Sequence, residues 1–170
     1  MQVEPMRDAV DEISDQWART RPDLDMSPMH VVGRLFRASR LLDRGVKEFF
    51  TQHGLEPWEF DMLATLLRSN TEHCLCMKDL TANALVSPGA LTNRMDRLVE
   101  RGLVHRTPAP DNRRMVLVYL TPDGERLVNE IMEAHLAHER ELLAGLSKLD
   151  QEHLATILRG LLHSLGDTAL

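Results

Sequence analysis

Between residues 87 and 121 the sequence sets six arginines (Arg94, Arg97, Arg101, Arg106, Arg113 and Arg114) against three acids, Asp96, Glu100 and Asp111. That segment carries +3, so the remainder must carry −9 to give the chain its net −6. A local cationic face is the electrostatic footprint of phosphate binding, whatever the total charge. The stretch SPGALTNRMDRLVERG adds a second kind of chemistry. Ser87, Pro88, Gly89, Ala90, Thr92 and Asn93 are small or polar, and they cluster at the start of a helical pattern. Small residues let a helix approach the floor of a DNA groove, and Ser, Thr and Asn bond to base edges or phosphates. Arg97, one turn further on, suits a phosphate or a guanine. Downstream, Asp111-x-Arg113-Arg114 falls where a hairpin tip is expected. Arginines on such a tip enter a minor groove or clamp phosphate. Asp111 would be repelled by phosphate, so its expected role is to orient Arg113. A solvated helix face and a salt-bridged turn would show the same residues.

The elements that position these residues are mostly helical. Val3, Met6, Val10, Ile13 and Trp17 recur at spacings of three and four, an apolar stripe on a first helix. A connector rich in Pro and Asp covers residues 20–28. A long helix is expected over about 29–53, with Val32, Leu35, Phe36, Leu42, Val46 and Phe49 buried and Gly54 ending it. Pro57 opens a helix to about Ser69. A polar loop leads to a short helix over about 77–85. Ser87-Pro88 reads as an N-cap and first-position proline for the basic helix, which Gly102 stops. Leu91, Met95 and Leu98 form its packing face. Leu103–Thr107 and Met115–Leu120 are rich in strand formers, and residues 108–112 between them read as a polar tip. Two helices follow, over about 122–145 and 148–165, with Leu127, Ile131, Leu142, Leu146, Leu154, Ile157, Leu158, Leu161 and Leu165 as apolar positions.

This order predicts a mainly α fold with a small β-ribbon, a winged helix-turn-helix with long flanking helices. The expected organisation is an N-terminal helix and connector over 1–28, a helical dimerisation region over 29–53 and 122–170, and a DNA-binding lobe over 54–121. The flanking helices carry more apolar surface than one small core needs, which predicts a two-fold homodimer.

The bulk properties narrow the classes. The 170 residues are 43% hydrophobic and 27% charged, ordinary for a globular domain. No apolar run reaches a membrane span, and the polar, acidic start is unlike a secretory signal. These readings predict a cytoplasmic protein. Cys74 and Cys76 are too few and too close for a disulfide framework. They leave open a thiol-based redox sensor. His135 and His138 share a helix face, and His73 lies beside the cysteines, but no four-ligand metal spacing emerges. The eight histidines also admit a pH response. No phosphate loop, nucleophile elbow or metalloprotease motif is present, so the chain reads as no enzyme.

Taken together, SPGALTNRMDRLVERGLVHR and PDNRRMVLVYLTPDG resemble the MarR family of bacterial regulators. The resemblance rests on Leu91-Thr92, Leu98, Gly102-Leu103, Asp111-x-Arg113-Arg114 and Leu120-Thr121-x-x-Gly124. It implies double-stranded DNA as partner, a pseudo-palindromic operator and a homodimeric repressor without cofactor. QWARTRPDLDMSPMHVVGRLFR and EPWEFDMLATLLR are similar to the urate-responsive branch containing PecS, HucR and MftR, with the aconitate-responsive TamR a close relative. That similarity implies release by a small anion such as urate, a related purine or a tricarboxylate. It also implies a ligand signature at Trp17, Asp61, Arg94 and Arg106. On periodicity alone, Trp17 reads equally as packing at a helix seam. Asp61 and Arg94 flank apolar stripes, where acids and guanidiniums usually pair.

Overall fold

A computed structural model describes residues 6–83 and 91–168, and of Thr81, Ala82, Asn83, Leu91, Thr92 and Arg113 it describes the backbone alone. The elements run α1 (Ala9–Thr20), α2 (Ser27–Gln52), α3 (Pro57–Ser69), β1 (Cys74–Cys76), α4 (Met77–Asn83), α5 (Leu91–Glu100), β2 (Val104–Ala109), β3 (Asn112–Leu120), α6 (Pro122–Leu142) and α7 (Lys148–Ser164). The chain divides into two compact units, residues 1–45 and residues 46–170. Among the described residues no helix is long and apolar enough to cross a membrane.

In the first unit Asp8 caps α1, its carboxylate accepting the Val10 and Asp11 amides at 2.8 and 3.2 Å. Arg34 of α2 then donates to Asp8 at 2.9 Å and to Asp11 at 2.8 Å. The expected apolar stripe is only partly realised. Val10 is buried, whereas Ile13 and Trp17 are exposed, and Met6 lies before the helix and is solvated. Val3 lies outside the described residues. On α2, Val32, Phe36 and Leu42 were expected inside but are exposed in the single chain.

The second unit is organised around α3. Pro57 stands at its first position. Glu59, Phe60, Met62, Leu63, Ala64, Thr65 and Leu66 are all buried, so the helix is covered nearly all round. Phe49 and Phe50 from the end of α2, Leu80 of α4, Met95 and Leu98 of α5, and Val128 and Ile131 of α6 complete the core. His135 packs against Phe49, Phe50 and Phe60, and His138 stacks on Phe49 at 5.0 Å. On α7 no described residue is buried; Ile157 is 68% exposed, and Leu165, just past its end, is 73% exposed.

The sheet departs from the expected ribbon in two ways. It has three antiparallel strands in the order β1-β3-β2. β1 pairs Cys74, Leu75 and Cys76 with Tyr119, Val118 and Leu117, in what reads from sequence as a polar loop. The strands also run closer to the tip, leaving only Pro110 and Asp111 as the turn. Pro108 is tolerated inside β2 because β2 is an edge strand. Near the tip Pro108 pairs with Val116 but Ala109 with Asn112, so residues 113–115 bulge from the ladder. Bulges re-aim side chains at functional rims.

Candidate nucleic-acid interface

The basic helix α5 is held from three sides. Met95 and Leu98 are fully buried, as their spacing predicted; the Leu91 side chain lies outside the described residues. At the C-terminal end, Gly102 takes φ +68, the left-handed conformation that lets the helix stop and turn into β2. Thr121 locks that turn to the next helix. Its hydroxyl donates to the Gly102 carbonyl at 2.8 Å and accepts the Gly124 amide at 3.0 Å. Its own amide donates to the Leu103 carbonyl at 3.1 Å. A Cβ on Gly124 would lie 2.2 Å from that carbonyl oxygen. The Gly-Leu and Leu-Thr-x-x-Gly pieces of sequence are thus two halves of one joint. That joint fixes α5, β2, β3 and α6 together.

The third side is ionic. Arg94, Arg97 and Arg101 recur at spacings of three and four, so they share a face beside the apolar one. Beneath them lies the first turn of α3. The Arg94 guanidinium sits 5.2 Å from the Trp58 ring centre and that of Arg97 sits 5.5 Å away, both within cation–π range. Arg101 donates to Glu59 Oε2 at 2.9 Å, and Arg97 Nη2 stands 3.8 Å from Glu59 Oε1. Glu59 is 1% exposed, whereas Arg97 is 58% exposed and keeps its head at the surface. A further ion pair joins Arg106 on β2 to Asp96 on α5, tying the strand to the helix.

The predicted DNA-contacting residues divide by position. Ser87, Pro88, Gly89 and Ala90 lie outside the described residues. Thr92 and Asn93 stand in the first turn of α5 as described, and the Asn93 side chain is exposed. Arg97 is surface-directed on the same helix. Asp111 occupies the exposed two-residue turn, and Arg113 and Arg114 follow it on β3. Arg114 is exposed, its amide donating to Asn112 Oδ1 at 3.1 Å, while the Arg113 side chain is not described.

The predicted ligand residues are distributed differently. Trp17 stands on α1 in the first unit, 45% exposed. Asp61, Arg94 and Arg106 all belong to the second unit, and Asp61 is half-buried on α3. Arg94 meets Trp58, and Arg106 meets Asp96. Trp58, Glu59 and Asp96 are therefore functional candidates that the sequence reading passed over. A detectable signal did exist for Glu59. A carboxylate on the apolar side of a helix must find a cation, and three arginines stand at helical spacing on α5.

Both thiols lie beside carboxylates. The Cys76 thiol donates to Asp79 Oδ2 at 3.1 Å, its sulfur accepts the Asp79 amide at 3.4 Å, and the Cys74 thiol is 3.9 Å from Glu72 Oε2.

The profile of the MarR family matches residues 53–115. The chain is 37% identical over 149 residues to the HTH-type transcriptional regulator PecS of Dickeya dadantii, covering 88% of this chain and 90% of that protein. Among solved structures it is similar to MarR of E. coli complexed with operator DNA, at TM-score 0.69 and 27% identity over 82% of this chain and 99% of that one. The MarR family regulator Sco3205 of Streptomyces coelicolor, in complex with DNA, shares the fold at TM-score 0.73 and 22% identity, over 84% of this chain and 90% of that one.

Proposed function

The chain belongs to the MarR family of DNA-binding transcriptional regulators, and from that premise we propose that it is a homodimeric repressor released from a two-fold operator by a small anion of the urate, purine or tricarboxylate class. The DNA-reading face is α5 with the tip of the wing. The effector acts on Asp61, Arg94 and Arg106.

The observation that carries the effector reading is the Arg106–Asp96 ion pair. It spans from the wing to the reading helix, and its side chains are 33% and 45% exposed. Such an exposed pair is worth about 1 kcal/mol or less, so a bound anion can displace the aspartate from Arg106. Asp96 then loses its partner on the helix that reads DNA. Arg94 lies on that same helix and has a flat aromatic neighbour in Trp58, so two of the proposed anion contacts bear directly on α5. A ligand shifts DNA affinity only by its differential affinity for the two arrangements. Here the difference arises because the arginines are engaged in one arrangement and available in the other.

The test is a urate titration of a labelled operator complex, the operator being selected from a random duplex library. Wild-type protein is expected to leave the DNA, and Arg106→Ala is expected to need at least about tenfold more urate. Equal release of the two proteins would overturn the assignment of Arg106. Release by xanthine or citrate but not urate would move the ligand class while keeping the site.

A further inference from the structure

The reading helix is gripped from below by a carboxylate that has no part in contacting DNA. Glu59 Oε2 accepts the Glu56 amide at 2.8 Å and the Arg101 guanidinium at 2.9 Å. Its other oxygen, Oε1, is buried without a hydrogen bond among the described residues, and Arg97 stands 3.8 Å from it. Capping alone does not call for this residue. A neutral glutamine would accept the Glu56 amide equally well and avoid the cost of desolvating a charge. The charge has a use only toward the arginines of α5.

We propose that Glu59 is a positioning residue for operator recognition: it holds Arg101 down against α3, and so sets the rotation of α5 and presents Arg97 to DNA. Arg101 and Arg97 are four residues apart, nearly one above the other on the helix. If Arg101 is anchored, α5 cannot roll, and Arg97 stays at the rim with its guanidinium over Trp58. If the anchor is lost, the buried Met95 and Leu98 still hold the helix to the core but fix its roll less tightly. This role rests on the proposed reading of α5 as the DNA-contacting helix and holds whether or not an effector binds.

The sign of the expected effect separates positioning from simple electrostatics. Removing a negative charge close to a DNA-binding face should strengthen binding to any duplex. Removing a positioning group should instead weaken the selected operator and spare random sequence. The experiment measures binding of Glu59→Gln, Arg101→Gln and the double variant to the selected operator and to a random duplex of equal length. Thermal melts run alongside. Each single variant is expected to lower the operator-to-random affinity ratio by about tenfold or more. The double variant is expected to fall no further than the Arg101→Gln variant, because the two residues act as one unit. An unchanged ratio in a folded Glu59→Gln protein would overturn the proposal, as would losses that multiply in the double variant. If Glu59→Gln melts below the assay temperature, Arg101→Gln decides by the same ratio, since Arg101 is reached from the surface.

Discussion

Gly124 is the residue at which the local chemistry is least forgiving. It follows Thr121 by three positions, and any side chain there would run into the Leu103 carbonyl oxygen at 2.2 Å and Leu120 Cδ1 at 2.8 Å. The obstacle is partly backbone, and it belongs to the joint that ends α5. Gly124→Ala is therefore expected to destabilise the fold by about 1–3 kcal/mol or more through overpacking. A denaturant melt checks this, and an unchanged midpoint would contradict it. Asp11 makes a different residue-level prediction. The Asp8 amide, and after it Arg34, hold its carboxyl below the usual carboxylate range. A lowered folded-state pKa means the unfolded chain binds protons first as the pH falls. The contribution is complete above the ordinary value of about 3.9 and is lost as the pH drops through the folded value. Amide exchange in α1 is expected to accelerate over that acid window. The acid step should shrink in Arg34→Ala, which leaves the Asp8 amide contact in place. A step of equal size in that variant would contradict the assignment.

At the scale of elements, α3 was legible to the residue because Pro57 marks its start and a dense apolar run fills it. α5 was legible through its Met95 and Leu98 face and its terminal Gly102, while its expected cap at Ser87-Pro88 lies outside the described residues. β1 was not. Three residues are too few for any period, and Cys74 to Cys76 become a strand only because β3 offers an unpaired edge. The wing tip was drawn too wide for a related reason. Pro108 and Pro110 read as turn formers, yet the edge position of β2 lets Pro108 stay in the ladder. The candidate site shows the same division. Basic residues on α5 and the wing could be read directly from their spacing. Trp58 and Asp96 could not, and Glu59 signalled only its need for a cation, because their meaning depends on which arginine each one meets across the fold. Glu59 is 42 residues from Arg101 in the chain, and no local pattern encodes that pairing.

The whole molecule leaves apolar surface that one chain does not cover. Within the second unit α7 buries none of its described residues, and Leu149, Ile157, Leu162 and Leu165 are exposed. Within the first unit Val31, Val32, Phe36 and Leu41 are exposed as well. Exposed apolar residues in this number mark an interaction surface. The proposed two-fold interface between helices of two copies would cover them. Pairing also bears on DNA. In the proposed dimer, two reading helices related by a two-fold axis would meet half-sites related by the same axis, about 10 base pairs apart.

The most direct measurement is to select bound fragments from a random duplex library, sequence them, and determine how many chains bind each selected duplex. An inverted repeat with half-sites about one helical turn apart, bound by two chains of 19.4 kDa, is the predicted result, with Ile157→Asp weakening both pairing and operator binding. An enriched site without two-fold symmetry bound by a single chain, or no enriched site at all, would contradict the account.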